Sequence, residues 1–403
     1  MPGSAGGPLC LQFRELGHIG FTAHIVTYLT VANFCERYGC TSIRTMAGSC
    51  YGTWGDFFDT SPQAPCLASN ATVVALNDKD SRLVEYTHGN LRTTYYGPDR
   101  LMEASVYDEP WHASMRILGH SLMSKYARPL PSVRQHVDEL WRGWFGPECD
   151  PESGSCHVLG LHMRCHDVLT AQHHTQRRLV HPRSFRRYVE AYMETFPSAR
   201  IFLATDEPAW AMEVRSWPAV QGRVYMRSNT AINVHHALSG TCQGDPVSKG
   251  LALVADVMHL ARCSFLIHSA SSVAEFATWL NPRLHHDSLH MGFPYGHADS
   301  WLARKVLGSR TSGALYPLNE TDSPASMQPL VGEISSEQSI DELMGRIRKA
   351  SARGIAAGEA KVHLRPPGGP GGGAGGGKGV GHGGKGAGQH KPTGAGSHSA
   401  VRS

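Results

Sequence analysis

The chain has 403 residues, of which 41% are hydrophobic, and a formal net charge of +4 at pH 7. From residue 353 onward there are seven Lys or Arg and one Glu, so the preceding part carries about −2 and offers no electrostatic basis for binding nucleic acid. No apolar run approaches the roughly 20 residues that cross a bilayer, so no transmembrane segment is predicted.

The N-terminal part predicts a turn, a helix and a strand. Gly17 and Gly20 precede an amphipathic run over 23–38, Gly39 suits the helix end, and the letters TSIRTM after it suit a strand. A Gly-rich turn ahead of a helix can hold an anion on free backbone N–H groups, although an ordinary tight turn is the simpler interpretation. Residues 51–110 predict loops with short strands.

Two further helices are predicted within HASMRILGHSLMSKYARPLPSVRQHVDELWRGWF. The prolines between them break the helix. Pro131 disfavours helix before it, and Ser132 is a candidate cap for the second helix.

The second half predicts strands in VLGLHMR, ARIFLATDEP, GRVYMRS and CSFLIHSASS, and helices in SFRRYVEAYMETF, KGLALVADVMHLARC and SVAEFATWL. Such alternation indicates a parallel sheet with right-handed crossovers, whose ligand lies beyond the carboxyl ends of the strands. A short helix is predicted near 340–350. The Gly-rich residues after it have too little apolar surface to fold and predict a disordered tail.

Polar side chains follow three of these strands: His162, Arg164 and Asp167; Asp206 and Glu207; and His268, Ser269, Ser271 and Ser272. The planar fork of Arg164 suits a phosphate, and the serine hydroxyls would add neutral donors. The two acids suit a loop, sugar hydroxyls or a metal. Together these residues predict a site for a phosphorylated, sugar-bearing ligand. The open structural alternatives are an Arg164–Asp167 ion pair and a satisfied buried imidazole at His162.

Other site classes find little support. The sequence lacks GxxxxGK[ST], and its adjacent histidines lack metal-ligand spacing, so no metal is expected. Arg164-Cys165-His166 suggests a histidine phosphatase, but such an enzyme needs more arginines.

Ten cysteines leave the compartment open. Cys149 and Cys156 bracket an acidic loop and predict a small disulfide, which suits an oxidising space. Buried free thiols are predicted for four others: Cys35, Cys40, Cys165 and Cys263. Two sequons, beginning at Asn70 and Asn319, would be acceptors in a secretory compartment.

The letters HMRCHDV at 162–168 resemble the HVRRTDK motif of the His-x-Arg fucosyltransferases, which include α-1,6-fucosyltransferases, bacterial nodulation enzymes and, more remotely, protein O-fucosyltransferases. Further blocks agree in order over about residues 9–285. They are GHIGFTAH, KYARPLPSVRQHVDELW, His181-Pro182, ATDEP, and the helix from Gly250 to Asp256 leading into CSFLIHSASS.

The resemblance implies an α/β fold of two Rossmann-like domains facing a cleft (GT-B-like). The implied parts are an N-terminal acceptor-side domain (9–150), a donor-binding domain (151–310), a linker with a short helix (311–352) and the tail (353–403). It implies an inverting, metal-independent transfer of fucose from GDP-fucose, with no cofactor, to a glycan or glycoprotein. It also implies a Golgi or secretory lumen. The sequence shows no signal peptide or anchor, which leaves a cytoplasmic location or an incomplete N-terminus open.

The resemblance also assigns roles. Arg164 would stabilise charge on the leaving diphosphate, His162 and Asp256 would recognise guanine, and Asp206 would lie near the donor sugar or acceptor. Ser271 and Ser272 would contact phosphate. Gly17 and Gly20 would let the backbone approach the diphosphate closely.

Asp167 and His173 complete the predicted catalytic set. The chain departs from the family at Cys165 and Val168, which replace an arginine and a lysine, and at Gln172, which replaces the catalytic acid. His173 or His174 could act as the base instead, or a loose transition state could need none. The alternative is a catalytically inactive homologue that binds a nucleotide sugar or glycan.

Overall fold

The computed structural model describes residues 7–13, 21–43, 50–76, 109–151, 153–164, 180–227, 244–269 and 271–291, with positions 302, 305, 306 and 345. The predicted tail and, apart from position 345, the predicted helix near 340–350 lie outside these residues. None of the described helices is long and apolar enough to cross a membrane.

A small parallel sheet forms the first part of the chain. Its strands are β1 (Leu9–Phe13), β2 (Thr41–Ile43) and β3 (Thr72–Leu76), in the order β2-β1-β3. Helix α1 (Phe21–Tyr38) connects β1 to β2 and is buried along most of its length. Gly39 follows it with φ 71°, a conformation that favours glycine, so the predicted helix end is confirmed.

Helices α2 (Glu109–Tyr126) and α3 (Pro131–Phe145) follow, separated at the predicted break. The prediction that Ser132 caps α3 is wrong. Pro131 occupies the first helical position, and Leu130 precedes it as the cap residue. A proline suits this position because its missing N–H has no partner within the helix and its φ is already helical.

A five-stranded parallel sheet, ordered β6-β5-β4-β7-β8, forms the second part. Its strands are β4 (Val158–Met163), β5 (Arg200–Thr205), β6 (Val224–Tyr225), β7 (Phe265–His268) and β8 (Ser288–His290). Its helices are α4 (Pro182–Thr195), α5 (Pro208–Ser216), α6 (Pro246–Arg262) and α7 (Ser272–Leu280). The predicted alternation and parallel sheet are confirmed.

Two apolar cores cover the faces of this sheet. Leu161 and Ile201 pack with α4 and α5 on one face. On the other face Phe202 and Leu266 pack with α6, α7 and the helices α1–α3. Gly119 of α2 lies so close to Trp279 of α7 that an added Cβ would stand 2.7 Å from its ring. Both halves of the chain therefore share one core. The predicted boundary at residue 150 stays a prediction.

The cysteines differ in part from expectation. The disulfide Cys149–Cys156 is confirmed, and Cys263 is a buried free thiol as predicted. The prediction of free thiols at Cys35 and Cys40 is wrong, because the two form a disulfide across the end of α1. A further disulfide, Cys10–Cys66, joins β1 to the loop before β3.

Candidate functional site

The larger sheet has a point at which its strand order reverses. From β4 the chain moves outward through β5 to β6, and it then returns to β7 on the other side of β4. In open α/β sheets the ligand-binding crevice lies at such a point, outside the carboxyl ends of the strands. A ligand-binding site is therefore expected at the carboxyl ends of β4 and β7.

Arg164 lies at this point and its backbone is held there. Its N–H donates to the Ser269 hydroxyl at 3.1 Å, and the Ser269 N–H donates to the His162 carbonyl at 3.1 Å. These two hydrogen bonds join the ends of β4 and β7 beyond the regular β-ladder. They fix the position of the Arg164 backbone. The Arg164 residue is half-buried.

Two helix N-termini meet beside these strand ends. Thr22 in the first turn of α1 and Ser272 at the start of α7 share a buried hydrogen bond between their hydroxyls, at 2.7 Å. The first turn of a helix carries unsatisfied N–H groups and a partial positive charge. Two such turns, one from each half of the chain, favour an anion at this place.

Ser271 caps α7, since its hydroxyl accepts from the Val273 N–H at 3.1 Å. Both predicted phosphate-side serines, Ser271 and Ser272, are thus at the N-terminus of α7. Thr22 was not predicted, although its place two residues after Gly20, at the start of a predicted helix, was a usable signal.

Three histidines form a row across the sheet. His162, His268 and His290 are paired in register on β4, β7 and β8, so their side chains emerge on one face. All three are buried, and the rings of His268 and His290 lie 4.6 Å apart. The row reaches from the predicted guanine contact at His162 toward the sheet edge. His290 was not predicted, because β8 is only three residues long.

Asp206 stands next to Arg164. Met163 pairs with Thr205, and the two polar residues follow directly after this pair on adjacent strands. The neighbouring Glu207 caps α5 through its carboxylate, which accepts from the Ala209 N–H at 3.2 Å. Of the two acids after β5, Glu207 therefore caps a helix, and the sugar contact that the resemblance assigns to Asp206 stays a prediction.

Asp256, the second predicted guanine contact, lies in α6 and is held by Arg227. The Arg227 Nε and Nη2 atoms donate to its two carboxylate oxygens at 2.6 and 2.7 Å. Burial raises the pKa of the Asp256 carboxyl, and the hydrogen bonds from Arg227 oppose that rise. The sequence did not predict this partner.

No protein-family model and no curated protein sequence matches the chain. Among solved structures it is similar to a NodZ alpha-1,6-fucosyltransferase co-crystallized with GDP, at 16% identity and TM-score 0.38, over 68% of this chain and 93% of that one. It is also similar to a point mutant of Arabidopsis thaliana FUT1 in complex with GDP, at 10% identity and TM-score 0.40, over 71% of each chain. At these scores the likeness carries no weight for the function of this chain.

Four predicted site residues lie outside the described residues: Gly17, Gly20, Asp167 and His173. Their roles stay predictions. In the ranges that the structure describes, no three His, Cys, Asp or Glu side chains are grouped so as to hold a metal ion. Of the predicted helix starts, His181-Pro182 is confirmed: the His181 ring accepts from the Arg183 N–H at 3.3 Å and Pro182 opens α4.

Proposed function

We propose that the chain is an inverting glycosyltransferase that transfers fucose from GDP-fucose to a hydroxyl of a glycan or glycoprotein. The observation that carries the proposal is the meeting of α1 and α7 at Thr22 and Ser272, beside the strand end that presents Arg164. Helix N-termini and a permanently charged guanidinium suit a diphosphate, and Arg164 is only half-buried.

In the proposed reaction, Arg164 and the two helix N-termini stabilise the negative charge that develops on the diphosphate. The acceptor oxygen attacks the anomeric carbon from the face opposite the diphosphate, and the bond from that carbon to the β-phosphate oxygen breaks. GDP gains negative charge as it leaves, so Arg164 and the two helix N-termini stabilise the transition state more than the ground state. The acceptor proton passes to a base, for which His173 is the predicted residue.

Nucleotide recognition is assigned to His162 and Asp256. Asp206, next to Arg164, is assigned to the donor sugar or to the acceptor. No cofactor takes part, and transfer is proposed to be metal-independent. Transfer should therefore survive EDTA, and a loss that Mn²⁺ reverses would contradict this part of the proposal.

A second candidate is a binding protein that holds the nucleotide sugar without turning it over. Gln172 favours it, because an amide stands where the resembling α-1,6 enzymes have their catalytic acid. The two candidates share the donor and differ in turnover.

A thermal-shift panel of GDP-fucose, GDP-mannose, UDP-glucose and GDP tests the donor. GDP-fucose at 100 times its Kd should add about 2.7 kcal/mol to the free energy of unfolding, while UDP-glucose should add none. Release of GDP, measured with and without candidate acceptors, then separates enzyme from binding protein. Equal stabilisation by all four compounds, or by none, would overturn the proposal.

A further inference from the structure

The sequon at Asn70-Ala71-Thr72 lies on an exposed turn. The Ala71 N–H donates to the Ala68 carbonyl at 3.0 Å, which closes the turn, and β3 begins directly after it at Thr72. Asn70 is exposed, as are the two residues before it. A large polar group on the Asn70 amide would extend into water and displace no core side chain.

One disulfide lies beside this turn, and further disulfides lie elsewhere in the chain. Cys66, four residues before Asn70, is bonded to Cys10 of β1, and the strands β1 and β3 pair directly. Two more bonds join Cys35 to Cys40 and Cys149 to Cys156, and Cys50 is also disulfide-bonded. Such bonds form and persist in oxidising compartments and are rare in the cytosol.

We propose that the chain matures in a secretory lumen and is N-glycosylated at Asn70. The two observations are independent: the disulfides indicate the compartment, and the exposed turn indicates that the acceptor is compatible with the folded chain. The donor is a lipid-pyrophosphate-linked oligosaccharide. The Asn70 amide nitrogen bonds to the anomeric carbon of the first sugar, the bond from that carbon to phosphate breaks, and the amide proton is lost. This inference does not rest on the proposed function.

The test is expression of the full chain behind a cleavable signal peptide in eukaryotic cells. Asn319→Gln is used as the background, so that Asn70 is the remaining sequon of the chain. The microsomal and secreted pools are treated with a peptide:N-glycosidase in ¹⁸O water. Labelled aspartate at position 70, together with a mobility shift, is the expected result.

Matched variants make the result specific to the sequon. Asn70→Gln and Thr72→Ala should abolish the shift, while Thr72→Ser should retain it and guards against a loss caused by misfolding. The inference is overturned if the peptide containing Asn70 is recovered unmodified from both pools while Cys10–Cys66 is intact, or if the cysteines are recovered as free thiols.

Discussion

Arg227 and Asp256 face each other through two parallel hydrogen bonds, with only 11% and 13% of their side chains exposed. A guanidinium presents the same pair of N–H donors to a carboxylate as the N1–H and N2–H groups of guanine. If Asp256 recognises the base, then Arg227 and guanine compete for the same oxygens.

This competition gives a first prediction. Arg227→Met leaves a buried carboxylate without its partner and should lower the free energy of unfolding by about 3–5 kcal/mol. Saturating GDP should restore more stability to this variant than to the wild type, as measured by denaturant unfolding. An equal stabilisation of the variant and the wild type by GDP would show that Asp256 does not contact guanine.

Arg164 should be needed for turnover and dispensable for folding. Arg164→Ala should lower transfer by about 10²–10³-fold, since it removes charge stabilisation of the departing diphosphate. Arg164→Lys should recover only part, because an ammonium lacks the planar fork. Arg186→Ala, which removes an exposed ion pair with Glu190 on α4, is the matched control and should leave transfer unchanged. Near-normal turnover in Arg164→Ala would exclude its assigned role.

The pair Arg116–Glu275 ties α2 to α7 and is almost wholly buried, with side chains 3% and 0% exposed. Two hydrogen bonds of 3.0 and 2.7 Å join the partners. Arg116→Met should therefore cost about 3–5 kcal/mol in denaturant unfolding. Lys125→Ala, which breaks the exposed pair with Glu36, should cost about 1 kcal/mol or less. Equal costs in the two variants would contradict the assignment.

Stability should fall in mild acid because of His259. Its ring is fully buried, shares a 3.1 Å hydrogen bond with the Val137 carbonyl, and burial lowers its pKa to about 3 from 6.5. Between those values the unfolded chain binds the proton and the folded chain does not, so stability drops as pH falls, by up to about 1.4 kcal/mol per pH unit. Unfolding of wild type and His259→Gln at pH 7, 6 and 5 measures this. Identical slopes would refute it.

The disulfides should differ in their contribution to stability. Cys10–Cys66 spans 56 residues and Cys149–Cys156 spans 7. Since a longer closed loop restricts the unfolded chain more, paired Cys→Ser replacement should cost about 4 kcal/mol at the first and about 2 kcal/mol at the second. Urea unfolding of the two double variants, each compared with the wild type, gives the order. The reverse order would show that native-state contacts dominate.

The sequence predicted what depends on local pattern. Alternation around 158–280 gave the parallel sheet, and polar residues after apolar runs gave the positions of Arg164, Asp206 and Ser272. Strand β8 was not predicted, because three residues are too few to show a periodic pattern. Helix α5, which follows the letters ATDEP, was not predicted either.

Contacts between distant segments could not be predicted in the same way. Sequence spacing does not show which cysteine forms a disulfide with Cys10, or that Arg227 pairs with Asp256. Nor does it show that Thr22 and Ser272, which are 250 residues apart, share a hydrogen bond. Cys35 and Cys40 were misjudged because apolar neighbours suit a buried thiol and a buried disulfide equally well.

The apolar core shared by α1–α3 and α6–α7 has a practical consequence for anyone dividing this protein. A fragment ending at residue 150 would expose the buried aromatic side chains Phe21, Trp54 and Phe58 to water. The remaining C-terminal fragment would likewise expose Phe276 and Trp279. Neither piece would be soluble by itself. Co-expression of the two, with recovery read from their co-purification, is the arrangement in which severed halves should reassemble.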